Sequence, residues 1–272
     1  MPSFFAHAPV GGAATLGWHD WTLDPVVLAG LVALVILYHT LPRIQPTPRQ
    51  VACFWVGVAA LVAALLSPLD FGAAYLFWLH MVQHLLLMLI AAPLLALALP
   101  APFLGWLRHR AILGPVVRAL QNPWLAFSLY NAAVVLWHLP PCYEATLRRQ
   151  AVHAAEHLTF LLTAMAFWGV ILSHGGVPPY GLRVALLLGS AVVQFVPAFV
   201  IALADRMLYP TYAAAPRLWG WSALDDQRFG GALMWVTMNL AYVVAILRFV
   251  GPLLRQRERP QPSVREDTPE FR

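Results

Sequence analysis

Seven long apolar runs, near residues 25–41, 50–67, 75–98, 123–139, 152–173, 183–204 and 230–250, divide this chain. Short stretches rich in proline, glycine and arginine separate them, among them Pro46 and Pro48, Pro68, Pro100 and Pro102, Pro140 and Pro141, and Gly175 to Pro179. A helix of about 20 apolar residues, rising ~1.5 Å per residue, spans the ~30 Å hydrocarbon core of a bilayer. The pattern therefore predicts an all-α, polytopic membrane bundle of about seven transmembrane helices within residues 25–254. A segment at 1–24 precedes the bundle, and a polar, proline-containing tail at 255–272 follows it and reads as disordered. Pro93 and Pro197 fall inside predicted helices, where membrane proteins tolerate kinks. Residues 103–120 are too short and too charged to span and read as an amphipathic segment on the membrane surface. There is no internal repeat.

Charge gives the bundle a direction. All 17 basic residues are arginine. With the N-terminus outside, the inner side holds Arg43, Arg49, Arg108, Arg110, Arg118, Arg183, Arg255, Arg257, Arg259, Arg265 and Arg272, with Arg248 at the inner end of the last helix. The outer side holds only Arg148, Arg149, Arg206, Arg217 and Arg228, offset by Glu144, Asp205, Asp225 and Asp226. The excess of arginine on one side predicts N-terminus out and C-terminus in.

Composition sharpens the class. The chain is 60% hydrophobic and 11% charged, against about 25% charged in soluble domains, so it lacks the polar surface a water-soluble fold needs. The net charge of +5 sits in loops and tail beside lipid, without the basic and aromatic interleaving of a nucleic-acid binder. Residues 1–24 carry no Lys or Arg and no apolar core of useful length, so no cleavable signal is evident. Cys53 and Cys142 fall toward opposite faces of the membrane and are not expected to pair.

The chemistry lies in the histidines. His80 and His84 share one face of the third helix, with Met81 beside them and Met88 a turn further on. His138 ends the fourth helix, and His153 and His157 open the fifth, again four residues apart. The predicted topology gathers these five in the outer leaflet. Ionisable residues in membrane helices are costly and mark functional sites, and clustered imidazoles suit a transition metal or haem. Glu156 lies one helical step off the His153/His157 face, placed to orient an imidazole or to pair with Arg148 or Arg149. Cys142 reads as a loop thiol or a soft ligand. Met234 and Met238 read as packing or as an extension of a methionine path, and Gln83 and Gln194 as amides bonding across helices. No P-loop, dinucleotide fingerprint, nucleophile elbow or paired-carboxylate cleft is present, so an enzyme is not expected.

At HMVQHLLLMLIAAPLLALALP (80–100), WHLPPCYEATL (137–147), VHAAEHLTFLLTAMAFW (152–168) and LDDQRFGGALMWV (224–236), the chain resembles the CtaG-like, multi-pass proteins of cytochrome c oxidase assembly in bacteria. An unrelated single-span copper-delivery protein shares that name. The resemblance implies a plasma-membrane protein needed for an active haem–copper oxidase, with oxidase subunits as partners. It carries the motif onto His80, Gln83, His84, His138, His153, Glu156, His157, Asp226 and Gln227. The five histidines then stand as metal ligands, with Glu156, Gln83, Asp226 and Gln227 as their supports. Copper itself rests on the histidine geometry: neutral imidazoles hold Cu(I) in a membrane without adding buried anions. The expected function is an assembly factor binding Cu(I) at an outer-leaflet cluster. A haem-binding redox protein and a metal-free scaffold are the alternatives. A transporter is less favoured, because no polar stripe continues inward past His84 and Met88.

Overall fold

The computed structural model describes residues 16–40, 45–173 and 178–257. Arg43, His7, His174 and the tail beyond residue 257 lie outside the described residues. The described chain is helical, with no strand among the described residues. Five helices are long and apolar enough to cross a membrane: α2 (Pro48–Leu65), α4 (Phe77–Ala98), α9 (Gln150–Ile171), α10 (Tyr180–Leu203) and α12, whose apolar part is Ala223–Gly251 within Ala223–Arg257. The other two predicted segments form 16-residue helices, α1 (Pro25–Thr40) and α7 (Pro123–His138), each about 24 Å long at the α-helical rise. Shorter helices fill the connections: α3 (Pro68–Ala73), α5 (Ala101–Arg108), α6 (Leu113–Leu120), α8 (Pro140–Arg148) and α11 (Pro210–Ala214). The segment read as amphipathic, 103–120, is this α5–α6 pair, with Ile112, Leu113 and Val116 exposed.

The prolines that punctuate the sequence open helices. Pro48, Pro68 and Pro123 each sit in the first turn, where the missing N–H costs nothing, behind Thr47, Ser67 and Asn122 as side-chain caps. Thr47 and Gln50 close a reciprocal capping box. The same logic makes the Pro140–Pro141 stretch a helix, α8, so Cys142 lies on a helix and not in a loop. The last helix begins earlier than the apolar run at 230. Ser222 accepts from the Asp225 N–H (3.1 Å), and Asp225 and Asp226 occupy a first turn that favours negative charge.

Helix α4 is the organising element, packed against α2, α9 and α12, while α10 lies against α7 and α12. Two glycines let α12 sit close on both sides. A methyl at Gly230 would overlap the Phe77 ring, and one at Gly231 would approach the Ala202 nitrogen to 2.6 Å. Midway along α4, Leu86–Ala91 form a π turn just before Pro93. In the π pattern the Ala92 N–H donates to Leu87 O, and proline at 93 has no N–H to offer. The Met88 carbonyl this leaves over accepts from the Trp168 indole N–H at 2.9 Å. Arg183, expected as an inner-loop charge, is buried. Its guanidinium donates to the carbonyls of Ile171 (3.0 Å), Ser173 (2.8 Å) and Pro178 (2.8 Å), capping the C-terminus of α9.

Candidate metal centre

All five predicted histidines are buried, and they meet in one chamber between α4, α7 and α9. His80 and His153 stand at one level, Nε2 to Nε2 at 3.3 Å. One turn further along α4 and α9, the His84 and His157 rings lie 5.4 Å apart, with His138 5.9 Å from His84. Glu156 is fully buried and reaches between the levels, Oε2 3.8 Å from His80 Nε2 and Oε1 3.7 Å from His84 Nε2. Those two separations exceed hydrogen-bond range. They approach the edge of a tetrahedron of metal–ligand bonds, about 3.4 Å for bonds of 2.0–2.2 Å. Ligand atoms of His80, His153, Glu156 and His157 all lie within 4.8 Å of one another.

The hydrogen bonds around the chamber fix which ring nitrogens face it. His138 Nδ1 lies 2.7 Å from the Val134 carbonyl, which can only accept, so Nδ1 carries the proton and Nε2 is bare. His80 Nδ1 lies 2.9 Å from both the Tyr212 and the Tyr143 hydroxyls. Tyr212 donates its own proton to the Ala73 carbonyl (2.8 Å) and accepts from His80 Nδ1–H, so His80 Nε2 is bare as well. Imidazoles that ligate metals are held this way, one nitrogen anchored and the other presented. Four imidazole nitrogens of the cluster, His84 Nδ1 and Nε2, His138 Nε2 and His157 Nε2, meet no hydrogen-bond partner, and the Thr146 side chain lies beside the Glu156 carboxylate. Leaving one buried polar atom unpaired costs about 1–3 kcal/mol, and imidazole nitrogens beside a buried carboxylate are a donor set that could hold a metal ion.

Tyrosines roof the chamber and escaped the sequence reading. Tyr143, Tyr209 and Tyr212 are fully buried; Tyr143 and Tyr209 have ring centroids 4.3 Å apart, and Tyr209 lies 5.1 Å from Phe77. Tyr209 donates to the His138 carbonyl (2.8 Å), and Glu144 accepts from both the N–H (3.0 Å) and the hydroxyl (2.6 Å) of Thr211. Burial pushes the hydroxyls of Tyr143 and Tyr212 well above their ordinary pKa, keeping them neutral donors and acceptors. Tyr143 lies within the WHLPPCYEATL stretch, but Tyr209 and Tyr212 sit between apolar runs, with no periodicity to single them out.

Several sequence expectations need relocating. Arg148 pairs with Glu144 (2.8 Å), not with Glu156. Gln83 turns away from the histidines and donates to the Ala64 carbonyl (2.7 Å) and to Asp70 (2.6 Å), whose carboxyl burial pushes up to about 6. Asp226 caps α4 from a distance, accepting from the Phe77 (3.0 Å) and Trp78 (2.9 Å) N–H groups, with Arg217 3.6 Å away. Gln227 accepts from Leu208 N–H (2.7 Å) and donates to the Arg206 carbonyl (3.2 Å), holding the segment before α11. These three residues position the frame and touch no chamber histidine through those bonds. Cys142 is a free thiol, and Met81, Met88, Met234 and Met238 are buried in one apolar core. Polar side chains also bond across the helices away from the histidines, Gln194 among them as expected. Asn131 donates to Ser190 (3.0 Å), Gln194 donates to Asn131 (3.0 Å), and Tyr242 bonds Gln194 (2.6 Å) and Tyr130 (3.1 Å), tying α7, α10 and α12 together.

The family description "Cytochrome c oxidase caa3 assembly factor (Caa3_CtaG)" matches residues 25–256, which include every histidine of the chamber. The chain belongs to the cytochrome c oxidase caa3 assembly factor family. Among similar chains, the uncharacterized protein ML1998 of Mycobacterium leprae (strain TN) is 26% identical over 280 residues, covering 91% of this chain and 41% of its own length. The uncharacterized protein Mb0105 of Mycobacterium bovis is 26% identical over 303 residues, covering 95% of this chain and 45% of its own length. The chain thus spans less than half the length of these curated relatives. No solved structure matches it.

Proposed function

We propose that this member of the assembly-factor family binds Cu(I) in the histidine chamber and assists maturation of an oxidase copper centre. One observation carries the reading: ligand atoms of the buried His80, His153, Glu156 and His157 lie within 4.8 Å of one another, with the His84 and His138 rings beside them. Imidazole nitrogen suits copper, and a single carboxylate balances one monovalent charge in a low-dielectric site. When bound, the ion would be held by His80, His153, His157 and Glu156. Tyr143 and Tyr212 fix the His80 ring and the Val134 carbonyl fixes the His138 ring. The protein acts by holding and passing on metal, without turning over a substrate. It crosses the bacterial plasma membrane seven times, α1 and α7 included, with its N-terminus outside. Its partners are oxidase subunits, which receive the ion at the outer leaflet. The haem alternative, held between the helices that bear His80, His84, His153 and His157, leaves the close i, i+4 pairs without a role.

A Cu(I) competition titration of the full chain in detergent, against a chelator of known affinity, tests this. Wild type takes up stoichiometric copper, and a folded variant lacking His80, His84, His138, His153 and His157 takes up none. Equal uptake by both proteins overturns the reading.

A further inference from the structure

The chamber holds more ligands than one ion can use. A copper ion takes two to four, and five imidazoles and a carboxylate converge here. They are arranged on two levels. The first comprises His80 and His153, with facing nitrogens 3.3 Å apart. The second comprises His84 and His138, whose rings lie 5.9 Å apart and whose unpaired nitrogens are nine-tenths or more buried. Glu156 belongs to both, one oxygen toward His80 and the other toward His84. His157 lies one turn beyond His153, its ring 5.9 Å from His80 and 5.4 Å from His84, and its ligand atom groups with those of His80, His153 and Glu156.

Charge decides between two ions and one. Among the described residues facing the chamber, Glu156 is the only acid. One Cu(I) with one carboxylate is neutral. A second ion would leave a net positive charge among buried side chains, which is strongly disfavoured. The nearby Asp226 adds no compensation, since its carboxylate is committed to the N-terminus of α4 and to Arg217. His153 and His157 are buried at 8% and 9% exposure, against 0% for His80, 1% for His84 and 4% for His138, so what little surface the cluster shows lies on α9.

Resting on the copper reading above, we propose that the chamber holds one Cu(I) in two alternative positions pivoting on Glu156: an outer one at His80, His153 and His157, and an inner one at His84 and His138. The outer position exchanges metal through the α9 edge, and the inner position retains it. No bond is made or broken beyond ligand substitution, and copper keeps its oxidation state. One side chain supplies the continuity, because each carboxylate oxygen of Glu156 already faces one of the two levels.

The test is a release measurement on the full chain in detergent, loaded with Cu(I) and mixed with excess chelator. Wild type binds one copper per chain. His138→Leu and, as an independent inner change, His84→Leu release their copper about tenfold faster or more, at least the scale on which loss of a group that only supports a ligand lowers metal affinity. His153→Leu releases its copper more slowly than wild type, because the route to the edge has lost its ligand. Opposite signs for inner and outer changes are an outcome that a general loss of packing does not produce. Two coppers per wild-type chain overturn the proposal, as does release unchanged in both inner variants; either result leaves the copper reading standing. Absence of copper from the wild type sinks both.

Discussion

His80 presents its Nε2 to the chamber because of a residue far away in sequence. It lies three positions into α4, and that helix has no side-chain cap of its own. The first-turn N–H groups of Phe77 and Trp78 are satisfied by the carboxylate of Asp226, fully buried at the start of α12. Asp226→Ala would strand two buried donors, at about 1–3 kcal/mol each, and free the first turn of α4 to rotate. The expected result is a lowered melting temperature together with weakened copper binding in the same competition titration. Asp226→Asn retains an acceptor oxygen and is expected to recover most of the stability. Loss of stability with undiminished copper affinity would show that the cap does not set the His80 ring.

At the level of whole elements, α4 changes character halfway. Its first half carries the histidines, and the π turn at Leu86–Ala91 resets which side chains face α2 and which face α9. Trp168 makes that turn tolerable by donating to the orphaned Met88 carbonyl. Trp168→Phe is expected to destabilise the protein by about 1–3 kcal/mol. Pro93→Ala in that background supplies a backbone donor and is expected to recover part of the loss, so the double-variant cycle in thermal unfolding reports coupling. Strict additivity would separate the proline from the tryptophan. The apolar runs made this helix, and the pairs His80/His84 and His153/His157, legible from spacing alone. A period of 3.6 shows which residues share a face but not which faces meet. The reach of Glu156 between two histidine levels was therefore hidden, and so was the turn of Gln83 away toward Asp70. The tyrosine roof was hidden for another reason: Tyr209 and Tyr212 belong to a short polar connection whose place is set by the bonds of Glu144, Gln227 and Tyr209 itself.

For the molecule as a whole, what matters is which side of the membrane the chamber serves. His80 lies one turn from the N-terminal end of α4, His138 ends α7, and His153 lies one turn into α9, so all three sit at the same end of the bundle. The short helix α8 joins α7 to α9 at that end and carries Cys142, a partly exposed free thiol. Cys53 lies near the start of α2, at the opposite end. In the orientation proposed from the arginine bias, the histidine end faces outside. One asymmetry follows from this: a membrane-impermeant thiol reagent applied to intact cells modifies the protein at Cys142. The labelling persists in Cys53→Ala and disappears in Cys142→Ser. Copper bound in the chamber should also slow that labelling, because α8 supplies Tyr143 to the roof and an ion on His80 would hold Tyr143 in place through the hydroxyl contact at 2.9 Å. Labelling only after the membrane is breached would invert the orientation, and with it the side on which an oxidase subunit could receive the metal.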